Sequence, residues 1–286
     1  MTQSLLCIGC GYSARALAQR LLPRGWRVIG TGRSAEALDA LSVLGIEARP
    51  WPGASLGPVL EEASHVLSSV APDAEGDPVL RTEAAALKAA THLRWAGYLS
   101  TTGVYGDHGG GWVDEDTPLT PSTQRGVERV RAEAGWQALG LPLHIFRLAG
   151  IYGPGRGPFA KVRAGTARRI VKPGQVFSRI HVEDIAQVLD ASIHAPDPGR
   201  IYNVCDDDPA PPEAVIAEAA RLLGLPMPPA EDFATAAMTP MARSFYAESK
   251  RVRNDRIKDE LGVRLIHPDY RSGLAALLRE EQAQAG

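Results

Sequence analysis

The sequence is short of cysteine, of long apolar runs and of net charge, and each shortage excludes a class of protein. Its 286 residues hold three cysteines, which cannot build a disulfide framework and suit a reducing compartment. Nowhere do about eighteen apolar residues run together, so no transmembrane helix is expected. The apolar run Leu5–Ile8 begins too early to leave room for a signal peptide. A net charge of −2 gives no overall attraction to nucleic acid or to an anionic membrane, so we expect a cytoplasmic globular protein that binds neither.

Cys7 and Cys10 form a C-x-x-C pair, a spacing that redox centres and zinc sites both use. A redox pair opens a helix with low-pKa thiols, and zinc needs two more ligands nearby. Here Cys7 lies inside an apolar run, Cys10 lies between two glycines, and Cys205 is far along the chain. We therefore expect packing and loop roles for these cysteines, and no metal site.

Short apolar segments alternate with helix-like segments over most of the chain. The predicted strands are Ser4–Ile8, Arg27–Thr31, Ile46–Arg49, His65–Val70, Gly97–Thr101, Leu143–Leu148 and Arg200–Val204. The predicted helices are Ser13–Leu22, Ala35–Leu44, Val79–Leu93, Ser122–Leu139 and Val182–Ile193. Strands this short and continuously apolar are typical of a parallel sheet buried on both faces. The predicted fold class is α/β, a doubly wound Rossmann-type parallel sheet.

The regular alternation is interrupted after Leu148. A Gly- and Pro-rich loop, Gly153–Pro158, leads into a basic stretch, and from Asp206 onward the chain reads as helices with Pro-rich joints and no strand. We therefore predict two units, an NAD(P)-binding Rossmann domain and a smaller, mostly helical substrate-binding subdomain. The domain comprises residues 1–152 and 176–204, and the subdomain comprises residues 153–175 and 205–286.

The loop after the first strand has the pattern G-x-G-x-x-A, from Gly9 to Ala14, and an Ala- and Leu-rich helix follows it. In such a loop Gly9 permits a tight turn, and Gly11 lets backbone N–H groups approach a pyrophosphate at the helix N-terminus. Ala14 lets the helix pack closely on the strand. We predict a dinucleotide site with Gly9, Gly11, Tyr12 and Ser13 at the cofactor. A glycine turn without a ligand is the alternative.

The end of the second strand indicates which dinucleotide binds. NAD sites usually hold an Asp or Glu there, for the ribose 2′-OH. This chain instead has Arg33 and Ser34, and no acid comes before Glu36. A guanidinium and a hydroxyl suit a 2′-phosphate, so these two residues are predicted cofactor contacts and NADP is preferred over NAD. A solvated surface arginine is the alternative.

Three further motifs give the chain a family resemblance. They are Ser100–Gly106 (STTGVYG), Arg147–Gly155 (RLAGIYGPG) and Arg179–Ala186 (RIHVEDIA). With the glycine loop, they resemble the NAD-dependent epimerase/dehydratase family of extended short-chain dehydrogenases/reductases, especially its atypical nucleoside-diphosphate-sugar epimerase-like members. The resemblance implies further cofactor contacts at Ser69, Val70, Ala71, Ser100 and Ala149. It also implies homodimers formed through helices such as residues 79–93 and 122–139.

The resemblance fails at the catalytic dyad. Family members use a Ser or Thr hydroxyl, here Thr101, with the Tyr and Lys of a Y-x-x-x-K motif on the next helix. Aligned on Ala132-Glu133, this chain has Arg125 at the Tyr position and Arg129 at the Lys position. Arg129 can still offer charge and donors to the nicotinamide ribose, whereas Arg125 cannot exchange a proton, because guanidinium is not deprotonated in proteins. His108 and Asp107 are the nearest candidate replacements for the acid/base, with an exposed loop histidine as the alternative for His108.

The stretch between Ile151 and Val182 contains no Asp or Glu. Its basic residues are Arg156, Lys161, Arg163, Arg168, Arg169, Lys172 and Arg179. Such a cluster suits a small anionic substrate, which in the family is often a nucleotide sugar. A solvated basic face is the alternative. The candidate substrate residues are Tyr105, Arg156, Lys161, Arg163, Arg169 and His181, and structural packing is the alternative role of Tyr105.

Two functions follow from these observations. The first is an NADP(H)-dependent oxidoreductase or epimerase-like enzyme for an anionic, nucleotide-sugar-like substrate, with Arg125 and Arg129 in place of the dyad. The second is a non-catalytic NAD(P)-binding sensor or regulatory protein, which the loss of the Tyr would suit. We favour the enzyme, because the cofactor motifs, Thr101 and the basic stretch are all kept.

Overall fold

The centre of the fold is a seven-stranded parallel sheet, in a computed structural model that describes residues 3–285. The strands of the chain are β1 Ser4–Ile8, β2 Arg27–Gly32, β3 Glu47–Pro50, β4 His65–Ser68, β5 Trp95–Thr101, β6 Trp112–Val113, β7 Leu143–Leu148, β8 Gly150–Tyr152, β9 Arg169–Val171, β10 Arg179–His181, β11 Ile201–Val204, β12 Ala230–Asp232 and β13 Arg251–Val252. The sheet has the order β11-β7-β5-β4-β1-β2-β3, so the chain winds away from β1 in both directions. The predicted doubly wound α/β fold is confirmed.

Helices cover both faces of this sheet. They are α1 Tyr12–Leu21, α2 Ala35–Val43, α3 Gly57–Glu62, α4 Pro78–Ala89, α5 Gln124–Gln137, α6 Phe159–Arg163, α7 Val182–His194, α8 Pro212–Leu223, α9 Pro240–Ser244, α10 Asp255–Asp259 and α11 Tyr270–Ala285. Successive side chains of β1 point to opposite faces. Leu5 and Cys7 pack with α1 and α7, and Leu6 and Ile8 pack with α3 and α4. All of β1 is therefore buried, which explains its continuously apolar sequence.

The sequence predictions differ from these bounds in two instructive places. The prediction of no strand after Asp206 was wrong, because β12 pairs with β9 and β13 pairs with β6. These strands are three and two residues long, too short to show an alternating apolar pattern. The predicted helix Val79–Leu93 ends at Ala89 instead, and no Gly or Pro marks that end in the sequence.

A separate buried cluster lies beyond the sheet. Its members are Tyr152, Phe159, Val162, Ala167, Ala210, Ala219, Ala220, Tyr270, Leu274 and Leu277. All of them except Tyr152 come from residues 153–175 and 205–286. We therefore propose that these two ranges form the smaller subdomain, with residues 1–152 and 176–204 as the NAD(P)-binding domain. Within residues 3–285, none of the helices has the length and apolar character needed to cross a membrane.

Candidate functional site

A cavity of about 810 Å³ lies at the carboxyl ends of β1, β4, β5 and β7. Residues that end or follow these strands and line the cavity are Gly9, Gly11, Ser69, Thr101, Thr102, Leu148 and Ala149. In open α/β sheets, ligands bind outside the carboxyl ends of the strands, where the winding reverses. Here the winding reverses at β1, between β2 and β4. The cavity therefore occupies the position at which this fold binds ligands.

Gly9 and Gly11 turn the chain from β1 into α1 at the rim of the cavity. Gly9 has φ +76°, and a Cβ atom there would lie 2.7 Å from the Val70 side chain, so a larger residue is strained. Gly11 is the N-cap of α1, and no side chain in the described part of the chain caps that helix. Its first N–H groups remain available to an anion, with Tyr12 and Ser13 beside them. This loop is a cradle that fits a pyrophosphate.

The other expected cofactor residues after β4, β5 and β7 divide into two groups. Ser69, Ser100 and Ala149 line the cavity, and the Ser69 hydroxyl donates to Gly9 O. Val70 and Ala71 do not line it: Val70 packs against Gly9, and Ala71 is exposed. The residue directly after β4 faces the cavity, whereas the next two turn away from it.

Arg33 and Ser34 follow β2 and lie outside the lining of the cavity. Arg33 is exposed and forms no ion pair with any residue in 3–285. Ser34 caps α2, and its hydroxyl oxygen accepts a hydrogen bond from Ala37 N at 3.3 Å. Because β2 neighbours β1, Arg33 lies one strand from the glycine loop, where dinucleotide folds hold the adenosine ribose. The Arg33 guanidinium therefore has donors available for a phosphate, whereas the Ser34 hydroxyl oxygen already caps α2.

Thr101, Arg125 and Arg129 all line the cavity, so the structure brings the expected catalytic residues together. Helix α5 lies close to the segment after β5 because Gly126 has no side chain. A Cβ atom there would lie 2.8 Å from Gly103 O. Arg129 is fixed on this face of α5 by donating to Leu99 O at 2.8 Å and to the Tyr98 hydroxyl at 3.0 Å.

Arg125 lies one turn before Arg129 and has different partners. Its guanidinium lies over the Phe245 ring, 5.0 Å from the centroid, and Nη2 is 3.3 Å from Ser244 Oγ. Thr101 Oγ1 accepts from Gly103 N at 3.1 Å, which leaves the hydroxyl hydrogen free to donate. One hydroxyl and two guanidinium groups can orient a carbonyl or an anion. None of the three exchanges a proton near neutral pH.

Tyr105 does not reach the cavity, which corrects its assignment as a substrate residue. Its side chain is fully buried, and its hydroxyl donates to Asn203 Oδ1 at 2.7 Å and accepts from Arg147 Nη1 at 2.9 Å. Burial raises the pKa of Tyr105 to about 12. Arg147 forms a buried ion pair with Glu133 at 2.8 Å, and the Ser100 hydroxyl donates to the same carboxylate. Tyr105 therefore packs beneath the lining of the cavity and does not contact a ligand.

The two candidate histidines are also directed away from the cavity. His108 is half-buried with Nε2 3.1 Å from Tyr105 O, so it is not placed as a replacement acid/base. His181 is buried and caps α7, with Nδ1 accepting from Glu183 N at 3.3 Å. Burial lowers the pKa of His181 to about 4, so the ring is neutral. Neither histidine is in position to meet a substrate.

His181 also belongs to a cluster whose side chains are metal ligands by type. Its ring nitrogen, the Glu183 carboxylate and a His267 nitrogen lie within 4.8 Å of one another. His267 Nε2 is 3.0 Å from Glu183 Oε2. Because Nδ1 of His181 accepts a backbone hydrogen bond, the ring proton must lie on Nε2, and neither nitrogen keeps a lone pair for a metal. The contact between His267 and Glu183 holds the residues before α11 against the N-terminus of α7.

The basic stretch contributes less to the cavity than its sequence suggests. Arg156 lines the cavity and lies over the Tyr12 ring at 5.8 Å. Lys161, Arg163 and Arg169 do not line it. Arg163 pairs with Glu281 at 2.6 Å, and Arg169 Nε donates to Pro228 O at 2.8 Å. Helix α6 buries Phe159 and Val162, so its cationic side chains face outward.

Lys250 and Glu248 line the cavity although the sequence did not mark them as site residues. Lys250 is only 9% exposed, and Nζ donates to Gly106 O and to Glu248 Oε2, each at 2.7 Å. The Ser122 hydroxyl donates to Glu248 Oε1 at 2.6 Å, which links this pair to the start of α5. Lys250 is more than one hundred residues from Gly106 in the chain. No local pattern could have placed the two together.

Arg179 also lines the cavity, and the buried carboxyl of Asp206 lies near it. Arg179 Nη1 donates to the carbonyls of Phe177 and Ala210, each at 3.0 Å. The carboxyl oxygens of Asp206 accept no hydrogen bond within the described residues. Burial raises the pKa of Asp206 to about 8, with Arg179 opposing the shift, so this carboxyl is mostly protonated at neutral pH.

No family model matches the chain. A solved structure of a conserved protein of unknown function from Silicibacter pomeroyi DSS is 60% identical, with a TM-score of 0.94 over 98% of this chain and 100% of that one. A Methylobacillus flagellatus protein assigned to the NAD-dependent epimerase/dehydratases is 28% identical, with a TM-score of 0.74 over 99% and 100%. Protein YeeZ of Escherichia coli K12 is 28% identical over 275 residues, 92% of this chain and 95% of YeeZ.

Distant enzymes share the fold as well. The dTDP-glucose 4,6-dehydratase of Bacillus anthracis str. Ames, solved with NAD, has a TM-score of 0.78 over 99% of this chain and 97% of that one. It is 17% identical, so this likeness concerns the fold alone. Over nearly its whole length the chain is therefore similar to a protein assigned to the NAD-dependent epimerase/dehydratases, and it shares the fold of more distant enzymes of that kind.

Proposed function

We propose that the protein is an NADP(H)-dependent oxidoreductase or epimerase-like enzyme that acts on an anionic substrate. One observation carries the proposal: Gly9, Gly11, Thr101 and Arg129 line a single cavity at the reversal point of the sheet. The glycine loop would hold the pyrophosphate, and Arg129 would hold the nicotinamide ribose. When bound, a nicotinamide ring supplies or accepts a hydride. The NAD bound to the Bacillus anthracis dehydratase of the same fold supports a nicotinamide cofactor.

The charges of the cavity support an anionic substrate. Its lining includes four arginines, at positions 125, 129, 156 and 179, together with Lys250. Glu248 is the one carboxylate among the lining residues, and it is paired with Lys250. None of the four arginines forms an ion pair within residues 3–285, so their charge is available to a ligand.

The arginines that stand at the dyad positions have separate roles in this proposal. Arg129 is held by Leu99 O and lies beside the segment after β5, which suits a contact with the cofactor. Arg125 is exposed and lies against Phe245, which suits a contact with the substrate. Thr101 would donate to a substrate oxygen. Proton exchange must then come from another group or from water, because Arg125 does not release its proton.

A non-catalytic dinucleotide sensor is the second candidate. The observation that favours it is Arg125, because a guanidinium stands at the position of the missing Tyr and does not release its proton. Thr101→Ala separates the two candidates. An enzyme should lose at least about tenfold in turnover of any substrate found, because the donor to the reacting oxygen is gone. If turnover persists unchanged in both Thr101→Ala and Arg129→Ala, the site is assigned to the wrong residues.

The cofactor is tested by calorimetric titration with NADPH and NADH. We expect NADPH to bind about tenfold more tightly, or ~1.4 kcal/mol, and Arg33→Ala to remove the difference. Arg163→Ala serves as the matched control, because Arg163 is an exposed arginine outside the cavity. Failure of both nucleotides to bind at millimolar concentration would overturn the proposed function. Equal binding of the two would overturn the NADP preference alone.

Oligomeric state is a further part of the proposal. By analogy with the family, α4 and α5 would pair with the same helices of a second copy. Analytical ultracentrifugation tests this directly, and a monomer at micromolar concentration would count against it.

A further inference from the structure

Lys250 is fixed in the cavity by a segment, residues 248–250, that is hydrogen-bonded on both sides. On one side Ser249 N donates to Asp107 Oδ1 at 2.8 Å, and Ser249 O accepts from Gly110 N at 2.8 Å. On the other side Val176 N donates to Ser249 Oγ at 3.1 Å. The main chain beside Lys250 therefore has little freedom, and its ammonium group is held at one position.

The Lys250 ammonium has one donor left for a ligand. An ammonium carries three N–H groups, and two of them are used by Gly106 O and Glu248 Oε2. Within the described residues the third has no acceptor, and Lys250 lines the cavity. Burying an ammonium costs free energy, and an anion that accepts from the third N–H would offset part of that cost. A buried cation with a free donor at a cavity indicates an anionic ligand.

Arg125 supplies a second cation at the same end of the cavity. The two are linked through the start of α5, because Ser122, three residues before Arg125, donates to Glu248 Oε1 at 2.6 Å. Lys250 offers its one remaining N–H, and the exposed Arg125 guanidinium offers further N–H donors beside its contact with Ser244. A donor from each of the two cations suits the two oxygens of a carboxylate.

Apolar side chains lie beside these cations. The Phe245 ring lies against the Arg125 guanidinium, and Val176 and Phe177 also line the cavity. A cavity of about 810 Å³ that must also accept the nicotinamide end of a dinucleotide leaves room for a small second ligand.

We propose that the substrate is a small monoanionic carboxylate, with its carboxylate held between Arg125 and Lys250 and its apolar body against Phe245 and Val176. The proposal rests on the proposed function, because it names the second ligand of the same cavity. It replaces a nucleotide sugar as the substrate class.

The test is calorimetry on the whole protein in a buffer free of acetate and citrate, with and without saturating NADPH. The probes are benzoate, phenylacetate and butyrate, the primary amide of each, UDP-glucose and inorganic phosphate. We expect at least one carboxylate to bind saturably, and its amide to bind at least about tenfold more weakly, because the amide carries no charge. Arg125→Gln and Lys250→Met should each weaken that carboxylate at least about tenfold while NADPH binding is kept. Arg163→Gln is the matched control and should change neither.

Several results would overturn the carboxylate proposal. These are no carboxylate binding at millimolar concentration, equal binding of acid and amide, tighter binding of UDP-glucose or phosphate, and carboxylate binding that survives both substitutions. Should Lys250→Met fail to fold, because Glu248 loses its partner, the exposed Arg125→Gln still decides the outcome. The NADPH titration is read separately, so a failure of the cofactor site is distinguished from a failure of the carboxylate site.

Discussion

The two sides of the cavity that we propose for the cofactor and for the substrate, called here the cofactor side and the substrate side, are built in different ways. The cofactor side comes mainly from a continuous segment, Gly9 to Ser13, at the first turn between a strand and a helix. The substrate side comes from Arg125, Phe245 and Lys250, which three separate parts of the chain bring together. A site on one short segment is visible as a motif, whereas a site assembled by tertiary structure is not. The difference explains which residues the sequence could indicate.

The largest predicted effect is a loss of stability, caused by a substitution in the buried ion pair that packs behind the cofactor side of the cavity. Arg147→Met leaves the buried Glu133 carboxylate without its guanidinium partner, so the free energy of unfolding should fall by about 3–5 kcal/mol. Arg163→Met removes an exposed pair with Glu281 on the subdomain and should cost less than about 1 kcal/mol. Urea denaturation followed by circular dichroism measures both. If the two variants lost the same free energy of unfolding, the buried pair and the exposed pair would contribute equally to stability.

The second effect concerns the glycine loop. Gly9→Val should weaken NADPH binding by about a hundredfold or more, because a Cβ atom at φ +76° meets Val70 and displaces the loop. Gly25→Val is the matched control, since Gly25 has φ +79° but no atom within 4 Å of its Cβ position. That variant should lose stability but keep nucleotide binding. If both variants bind NADPH normally, the loop is not the pyrophosphate cradle.

The third effect separates the two arginines of α5. Arg129→Met should weaken NADPH binding about tenfold, because its guanidinium lies beside the segment after β5. Arg125→Met should leave NADPH binding unchanged, because Arg125 contacts Phe245 and Ser244 on the other side of the cavity. Calorimetry compares the two. If Arg125→Met weakened NADPH binding and Arg129→Met did not, the cofactor side and the substrate side would have to be exchanged.

The smallest effect is a pH dependence that comes from Asp206. Its pKa in the folded protein is about 8, above its ordinary value of 3.8, so the folded state holds a proton that the unfolded state has lost. Stability therefore falls as pH rises toward 8, by about 1 kcal/mol per pH unit. His65 and His181, with pKa values of about 4, add little above pH 6.5. Asp206→Asn should flatten the slope of unfolding free energy between pH 6.5 and 8. If the slope were the same in Asp206→Asn, other titratable groups would cause the pH dependence of stability.

Much of the fold could be predicted from the sequence because parallel strands buried on both faces are short and apolar. Each of the seven predicted strands is present, and β1 and β7 have the predicted ends. The small strands β12 and β13 could not be predicted, since pairing partners far along the chain define them.

The residues of the site could likewise be predicted only in part. Gly9, Gly11, Thr101 and Arg129 line the cavity as expected, because strand ends and helix spacing fix their positions. Tyr105 and His181 do not, although they lie in family motifs, because their polar atoms pack into the structure. Lys161 and Arg163 belong to a basic stretch whose helix turns its apolar side inward. Of the cations that line the cavity, the sequence indicated Arg125, Arg129 and Arg156 as site residues but not Lys250.

The position of Lys250, more than two hundred residues after the glycine loop, has a consequence for synthesis. The glycine loop leaves the ribosome early, and β1 to β7 with α5 are complete well before residue 250 emerges. A growing chain can therefore complete the proposed dinucleotide cradle while the end of the cavity beside Arg125 still lacks the Lys250 ammonium group. The proposed substrate contact at Lys250 forms only after that cradle.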